Sequence, residues 1–300
     1  MQLKISIPAS SANLGPGFDS IGLALNRYLT LQVNEQEKWE IEHISHFLPL
    51  NTDYEDHFIY KIADTIAHWH NKTLPGCKVI VDSEIPLARG LGSSASAVLA
   101  GIELANQLCD LSLTDEQKLL YGTEIEGHPD NIAASLFGGI VVTAMTQNET
   151  IDYIKMPTPN LDIVAYIPNF ELKTDRARNV LPQSFSIKNA TKASAISNVM
   201  IASILTGDHT LAGKMMESDL FHEPYRSDLI PNYVMIKQEA KKGGAFGTVI
   251  SGAGPTMISF TTSGKGAVVS AYMTGKLSKY EVDALKISRN GLRVHKTFSN

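Results

Sequence analysis

The chain has 300 residues, with 43% hydrophobic residues, 19% charged residues and a formal net charge of −5. This balance is typical of a globular protein with a buried core, and it argues against a nucleic-acid-binding protein, which would usually carry a basic face. Cys77 and Cys109 are too few and too far apart for a disulfide framework, and the sequence lacks a signal-peptide run and any stretch of transmembrane length, so we expect a cytoplasmic protein.

The first half of the chain alternates between strand and helix patterns. Apolar residues at every second position predict strands, and apolar residues three or four positions apart predict amphipathic helices. The expected strands are 2–8, ended by Pro8, 29–44 (a strand or a hairpin), 77–86 and 137–145. The expected helices are 57–72, 93–108 and 115–126, the last with a capping box of Thr114 and Gln117.

Two prolines in the segment KMPTPN, residues 155–160, interrupt the periodicity and predict a domain boundary. We therefore expect an N-terminal domain of residues 1–157 and a C-terminal domain of residues 158–300. The elements expected in the second domain are a strand at 161–168, helices within 188–223, 231–244 and 264–278, two strands and a turn within 245–260, and a closing strand at 291–298. Hairpins and helices that segregate in this way predict an α+β fold rather than a regular array of βαβ units.

The segment PLARGLGSSASAVLA, residues 86–100, places Gly90 and Gly92 directly before a predicted helix. Glycines let backbone N–H groups turn towards an anion, and the helix N-terminus adds a positive field, so this loop is a candidate phosphate site. The spacing of Gly90, Gly92 and Ala95 also fits a dinucleotide-binding motif, but the strand does not lead directly into the glycines and no acid ends a second strand. The Walker motif and the protein-kinase signatures are absent from the sequence. On these residues alone, a plain turn with a serine N-cap ranks ahead of a phosphate site.

Three further segments give the loop a context: PASSANLGPGFDSIGLAL at 8–25, EGHPDNIAASLFGG at 126–139 and SGAGPTMISF at 251–260. Together with PLARGLGSSASA at 86–97, they resemble the motifs of the GHMP small-molecule kinases in their order along the chain, and they are closest in form to the homoserine kinase branch. The resemblance spans nearly the whole chain. It implies a two-domain fold in which the N-terminal half is similar to domain 2 of ribosomal protein S5 and the C-terminal half is ferredoxin-like.

The resemblance also implies ATP-dependent, Mg²⁺-using phosphorylation of the L-homoserine hydroxyl to O-phospho-L-homoserine, on the route to threonine. It implies a cytoplasmic homodimer that binds small molecules and neither nucleic acid nor a membrane. Glu126 and a loop serine, Ser93 or Ser94, would be the Mg²⁺ partners, a donor set that suits a cation which keeps several waters. The loop residues that would bind ATP are Pro86, Leu87, Ala88, Arg89, Gly90, Leu91, Gly92, Ser93, Ser94, Ala95 and Ser96.

The acceptor residues that the resemblance implies match a zwitterion with a hydroxyl group. Asp19 would pair with the ammonium group, and Arg178 and Arg226 would bind the carboxylate with the bidentate geometry that lysine cannot match. Asn13 and Thr174 would also bind the substrate. Arg178 would in addition be catalytic.

His128 and Asn131 are expected near the reacting hydroxyl, His128 as a substrate-binding residue and Asn131 as a catalytic one. An asparagine cannot take up a proton usefully, so no general base is obvious. We expect alignment and charge stabilisation to carry the reaction, with proton loss late or to the phosphate. Asp130 is the nearest acid and has no assigned role. Gly252 and Gly254 would form an active-site turn that packs against the glycine loop.

Two alternatives remain open. A sister kinase acting on mevalonate or a sugar would need a differently built acceptor pocket, and mevalonate would give Asp19 no ammonium partner. A non-catalytic nucleotide-binding regulator would be expected to have lost Glu126 or the loop serines, and this sequence retains both.

Overall fold

A larger mixed sheet and a smaller antiparallel sheet form the framework of the structure. The computed structural model describes residues 2–49, 53–146 and 150–297. Its strands are β1 (Gln2–Asn13), β2 (Gly17–Glu35), β3 (Glu40–His43), β4 (Cys77–Ser83), β5 (Ile140–Met145), β6 (Ile151–Lys155), β7 (Leu161–Pro168), β8 (Gly247–Ile250), β9 (Met257–Thr262), β10 (Tyr280–Lys286) and β11 (Arg293–Thr297).

In the larger sheet the strands run in the order β11-β1-β2-β4-β3, with β5 paired to β2 and β6 to β5. The prediction that Pro8 ends the first strand is wrong. β1 continues through Pro8 to Asn13, because a shift in register directly after Pro8 accommodates its missing N–H group. Residues 29–44 do not form a hairpin, since β3 pairs in parallel with β4.

The helices are α1 (Phe58–Trp69), α2 (Ser93–Leu108), α3 (Asp115–Glu126), α4 (Asp130–Phe137), α5 (Thr174–Asn179), α6 (Ile187–Thr206), α7 (His209–Met216), α8 (Glu223–Arg226), α9 (Tyr233–Gly243) and α10 (Gly266–Thr274). The helices predicted in the first half are confirmed as α1, α2 and α3. The capping box is present, since the Gln117 N–H group donates to Thr114 Oγ1 at 3.2 Å and the Thr114 N–H group to Gln117 Oε1 at 2.9 Å. Within the described ranges, no helix combines the length and the apolar character that crossing a membrane requires.

Helix α2 lies at the centre of the N-terminal half, in contact with α1, α3 and β1. Its small residues allow this close packing: a Cβ atom on Gly101 would lie only 2.6 Å from Cβ of Ile62 in α1. Apolar side chains of α2 such as Val98 and Leu99 are fully buried in the main core. This packing fixes the position of the glycine loop that leads into α2.

The smaller sheet has the strand order β10-β7-β9-β8. The predicted boundary between residues 157 and 158 falls in the loop between β6 and β7. The last strand, β11, returns to pair with β1, so the larger sheet also contains residues from the predicted C-terminal domain. The boundary itself stays a prediction, whereas the α+β class is confirmed.

Candidate active site

The glycine loop has a backbone that other residues could not easily adopt. Gly90 and Gly92 have φ angles of +75° and +69°, in the left-handed region that favours glycine. A Cβ atom on Gly90 would lie 2.3 Å from the Ser251 carbonyl oxygen, and one on Gly92 would lie 2.1 Å from Ser10 Oγ. Gly92, not a serine, is the N-cap of α2, and no side chain caps it. The first turn of α2 therefore has the uncapped N–H groups and positive field that bind anions.

The turn at residues 251–254 holds this loop from the C-terminal half. Ser251 Oγ donates to the Gly90 carbonyl oxygen at 2.5 Å, and the Thr256 N–H group donates to the Arg89 carbonyl oxygen at 3.3 Å. The Asn13 side chain contacts the same turn, because its Nδ2 donates to the Gly252 carbonyl oxygen at 3.0 Å. Three segments that are distant in the sequence thus meet at one point.

A cavity of about 670 Å³ opens in front of the loop. It brings together most of the residues that the sequence singles out. Those lining it are Asn13, Asp19, Leu87, Ala88, Gly90, Gly92, Ser93, Ser94, Ser96, Glu126, His128, Asn131, Thr174, Arg178, Arg226, Gly252 and Gly254.

Four of the predicted ATP-binding residues do not line this cavity. Leu91 and Ala95 are buried in the core, where they anchor the loop and the first turn of α2. Pro86 and Arg89 line a neighbouring cavity of about 270 Å³. Arg89 is occupied there, since its guanidinium donates to the Leu87 and Pro168 carbonyl oxygens at 2.6 Å and 3.0 Å.

Arg178, on α5, forms a two-point ion pair with Asp19 at the start of β2, with N–O distances of 2.9 Å and 3.1 Å. Asp19 has a φ angle of +53°, and its N–H group donates to Asn13 Oδ1 at 3.1 Å. Burial of the Arg178 guanidinium opposes its charge, but the contact with Asp19 outweighs it, so the pKa of Arg178 is raised. The acid expected to meet a substrate ammonium group is therefore paired with a guanidinium in this structure.

Arg226, on α8, is 2% exposed. Among the ion pairs of the described residues, none involves Arg226. Its Nε donates to the Ala177 carbonyl oxygen at 3.0 Å and one terminal nitrogen donates to the Gly252 carbonyl oxygen at 3.1 Å. Burial, and then the nearby charge of Arg178, lower the pKa of Arg226 to about 10. A buried cation without an acidic partner that faces a cavity is suited to bind an anion.

Ser94, in the first turn of α2, contacts Glu126, the last residue of α3. Ser94 Oγ donates to Glu126 Oε2 at 2.8 Å, which singles out Ser94 rather than Ser93 as the serine beside the carboxylate. Burial raises the pKa of Glu126, an effect that the hydrogen bond from Ser94 only partly offsets. A desolvated carboxylate with a neighbouring hydroxyl is a suitable partial ligand set for a hard cation.

His128, Asp130 and Asn131 form a hydrogen-bonded group at the start of α4. His128 Nδ1 and the Asn131 N–H group donate to Asp130 Oδ1 at 3.0 Å and 2.6 Å. Burial alone would lower the pKa of His128, but the bond to Asp130 and the charges of Asp130 and Glu126 raise it overall. Asp130 is 1% exposed, and it fixes the positions of both neighbours.

The sequence did not single out Phe18 or the apolar end of the cavity. The Phe18 ring lies under both arginines, with its centre 5.8 Å from the guanidinium carbon of Arg178 and 5.3 Å from that of Arg226. The only feature of the sequence that could have pointed to Phe18 was its position within the segment 8–25. Residues such as His57, Phe58 and Val81 line the apolar end of the cavity. They come from β4 and the start of α1, so no short motif marks them.

Comparison with known proteins identifies the family. The model described as "GHMP kinases N terminal domain" matches residues 57–139, and "GHMP kinases C terminal" matches residues 200–279. A homoserine kinase of Oceanobacillus iheyensis is 54% identical over 292 residues, which cover 97% of this chain and 98% of that protein. This chain belongs to the homoserine kinase family of the GHMP kinases.

Solved structures of GHMP kinases agree with this assignment. The homoserine kinase of Cytophaga hutchinsonii is 28% identical, with a TM-score of 0.85 and coverage of 98% of this chain and 97% of that one. A mevalonate kinase of L. major solved with R-mevalonate is 17% identical with a TM-score of 0.73, covers 94% of each chain and shows the shared fold alone. The resemblance predicted from the four motifs is confirmed.

Proposed function

We propose that this homoserine kinase family member transfers the γ-phosphoryl group of ATP to the hydroxyl group of L-homoserine, which yields O-phospho-L-homoserine and ADP. One observation carries the proposal: a single cavity joins an uncapped helix N-terminus, a carboxylate–serine pair and two arginines with one acid. These are the binding groups that a nucleotide phosphate chain and a zwitterionic alcohol need.

The phosphate chain of ATP would lie against the loop at Gly90–Gly92 and the first turn of α2. The backbone there can approach an anion closely, since both glycines have positive φ angles. The apolar end of the same cavity would receive the nucleoside. We retain Leu87, Ala88, Ser93 and Ser96, which line the cavity, as ATP-binding residues.

Homoserine would bind at the other end, between Asp19 and the two arginines. Its ammonium group would take the place of Arg178 beside Asp19, and its carboxylate would bind Arg178 and Arg226. Such an exchange would pair the ammonium group with Asp19 and the carboxylate with both guanidinium groups, whereas an alcohol without an ammonium group would leave Asp19 with Arg178 as its partner. Asn13, Thr174, His128 and Asn131 line the same cavity and would complete the acceptor site.

Glu126 and Ser94 would hold Mg²⁺, because a hard cation relieves the desolvation of the Glu126 carboxylate and accepts a hydroxyl oxygen as a second ligand. When bound, the ion neutralises charge on the phosphate oxygens.

In the reaction, the homoserine hydroxyl oxygen bonds to the γ-phosphorus as the bond from that phosphorus to the β,γ-bridging oxygen breaks. The hydroxyl proton leaves late, or passes to the transferred phosphoryl group. Asn131 cannot take this proton. It aligns the hydroxyl, and Arg178 offsets negative charge on the substrate, so that positioning and charge stabilisation supply the catalysis.

Measurement of ADP release with homoserine, mevalonate and galactose as acceptors tests the proposal. We expect turnover with homoserine to exceed the others by at least about a hundredfold, because a site built to bind particular polar groups discriminates strongly against analogues that lack them. Two analogues separate the charges: 4-hydroxybutyrate lacks the ammonium group and 3-amino-1-propanol lacks the carboxylate. Faster turnover of mevalonate or galactose would indicate a sister kinase. ATP binding without turnover of any acceptor would indicate a nucleotide-binding regulator.

The proposal includes a cytoplasmic homodimer that acts in threonine biosynthesis and binds neither nucleic acid nor a membrane. The net charge of −5 supports the first exclusion. Light scattering after size-exclusion chromatography tests the dimer, for which a mass near twice 32.7 kDa is expected.

A further inference from the structure

Three polar side chains form a hydrogen-bonded chain beside the cavity. Ser135 Oγ donates to Ser10 Oγ at 3.0 Å, and Ser10 Oγ donates to Asn131 Oδ1 at 3.0 Å. Both serines are fully buried, whereas Asn131 lines the cavity. A hydroxyl group has one proton, so Ser10 uses that proton on Asn131 and keeps its oxygen as an acceptor for Ser135.

Asp130 determines which edge of the Asn131 amide faces Ser10. Asp130 Oδ1 lies 3.4 Å from Asn131 Nδ2, and a carboxylate oxygen only accepts hydrogen bonds. The flipped amide would place two acceptor oxygens against each other and would leave the Ser10 proton without its acceptor. The amide oxygen therefore faces Ser10, and the NH₂ group keeps a proton for the cavity.

Ser10 also contacts the phosphate-binding loop. Its N–H group donates to the Leu91 carbonyl oxygen at 3.1 Å. Its hydroxyl lies so close to Gly92 that a Cβ atom there would be 2.1 Å from Ser10 Oγ. One residue of β1 thus touches both the loop and Asn131.

We propose that Ser10 is a positioning residue of this kinase, which holds the Asn131 NH₂ group as a hydrogen-bond donor towards the reacting groups at a fixed distance from the ATP loop. The inference rests on the proposed function, because it concerns the same phosphoryl transfer. Ser10 does not touch the substrate and acts through Asn131.

A double-mutant cycle tests this role. Ser10→Ala removes the hydrogen bond to Asn131 and the one that Ser10 accepts from Ser135. The first of these is a neutral bond that holds Asn131, so we expect kcat to fall about fivefold to tenfold with the KM for ATP changed less than about twofold. In an Asn131→Ala background the same substitution should cost no further activity, because the group that it positions is gone. Ser203→Ala is the matched control: Ser203 is also buried, but it lies on α6 and donates to the Val199 carbonyl oxygen. A second variant, Asn131→Asp, keeps an acceptor for Ser10 but loses the donor, so we expect it to be as impaired as Asn131→Ala.

Each result has a distinct meaning. If Ser10→Ala lowers kcat by the same factor in the unchanged protein and in Asn131→Ala, Ser10 supports the loop or the fold. That result would overturn the inference. An active Ser10→Ala variant beside an impaired Asn131→Ala variant would overturn the inference and leave the proposed function standing. An active Asn131→Asp variant would overturn the donor orientation, even if Ser10→Ala does not fold. Full activity of Asn131→Ala would remove Asn131 from the proposed mechanism as well.

Discussion

Arg178 and Asp19 neutralise each other through two N–O contacts of 2.9 Å and 3.1 Å, although they are 159 residues apart in the chain. Both side chains are only 36% exposed, so the pair lies partly out of water at the acceptor end of the cavity. In the proposed binding mode, homoserine would replace this contact with contacts of its own. Binding at this pair would therefore depend on the charges that the acceptor carries.

Arg178→Ala should weaken homoserine binding more than ATP binding. A hydrogen bond between charged groups contributes about 1.5–3 kcal/mol, so we expect the KM for homoserine to rise about tenfold to a hundredfold. The KM for ATP should change little, because the phosphate-binding loop lies elsewhere in the cavity. Steady-state kinetics with each substrate varied in turn measures the two constants.

Arg176→Ala is the matched control for this prediction. Arg176 lies on the same helix, α5, but is exposed and does not line the cavity. It should leave both KM values unchanged. Equal effects of the two substitutions would mean that α5 is sensitive to any loss of charge, and would remove Arg178 from the acceptor site.

Glu126→Gln should raise the Mg²⁺ concentration needed for half-maximal activity. The amide keeps the shape of the side chain but lacks the charge that favours a divalent cation, so we expect a shift of about tenfold or more. Mg²⁺ titrations at saturating ATP measure it. Glu124→Gln, on the same helix but exposed, is the control. Titration curves for Glu126→Gln and the unchanged protein that superimpose would exclude Glu126 as a metal partner.

Gly92→Ala should be far more damaging than Gly207→Ala. Both glycines have positive φ angles, +69° and +75°, but a Cβ atom at Gly207 has nothing within 4 Å, whereas one at Gly92 would lie 2.1 Å from Ser10 Oγ. Backbone strain alone costs about 1–2 kcal/mol, and the clash should bring the loss at Gly92 to about 3 kcal/mol or more. Urea unfolding of both variants measures the difference. Similar losses would mean that the loop can move away from Ser10.

Short-range patterns predicted much of this molecule. Helices α1, α2 and α3 follow from apolar spacing and a capping box, because these signals lie within a few residues of one another. The four motifs pointed to the loop and to Glu126 for the same reason, whereas Arg178 and Arg226 lie outside these motifs and came from the family resemblance. Pairings between distant residues were beyond such patterns. Three of these pairings depend on how separate elements pack. They are the contact of Asp19 with Arg178, the parallel pairing of β3 with β4, and the contact of Glu126 with Ser94 rather than Ser93.

The last prediction concerns a pair of histidines at the apolar end of the cavity. The Ile59 N–H group donates to His57 Nδ1 at 3.2 Å, so this nitrogen carries no proton and His57 Nε2 is the donor to His43 Nε2 at 2.8 Å. His43 Nδ1 then donates to the Pro49 carbonyl oxygen at 2.8 Å. These three hydrogen bonds can form together only while both imidazole rings are neutral.

Burial, and then the proximity of His43, lower the pKa of His57 from the usual 6.5 to about 4. The folded protein therefore binds this proton less readily than the unfolded chain. The stability that results is present above about pH 6.5 and is lost as the pH falls towards about 4. His57→Asn keeps an acceptor for the Ile59 N–H group as the N-cap of α1 but does not titrate. Its free energy of unfolding should therefore fall less steeply across this interval.

Urea unfolding at a series of pH values between 4 and 7 measures the slopes. His295→Asn, at an exposed position on β11, is the matched control. If His57→Asn and the unchanged protein lose stability in parallel, the proton is not excluded from His57 by folding. The acid sensitivity would then have to come from other groups. Glu126 is not one of them, because the raised pKa of its carboxyl group favours folding at low pH.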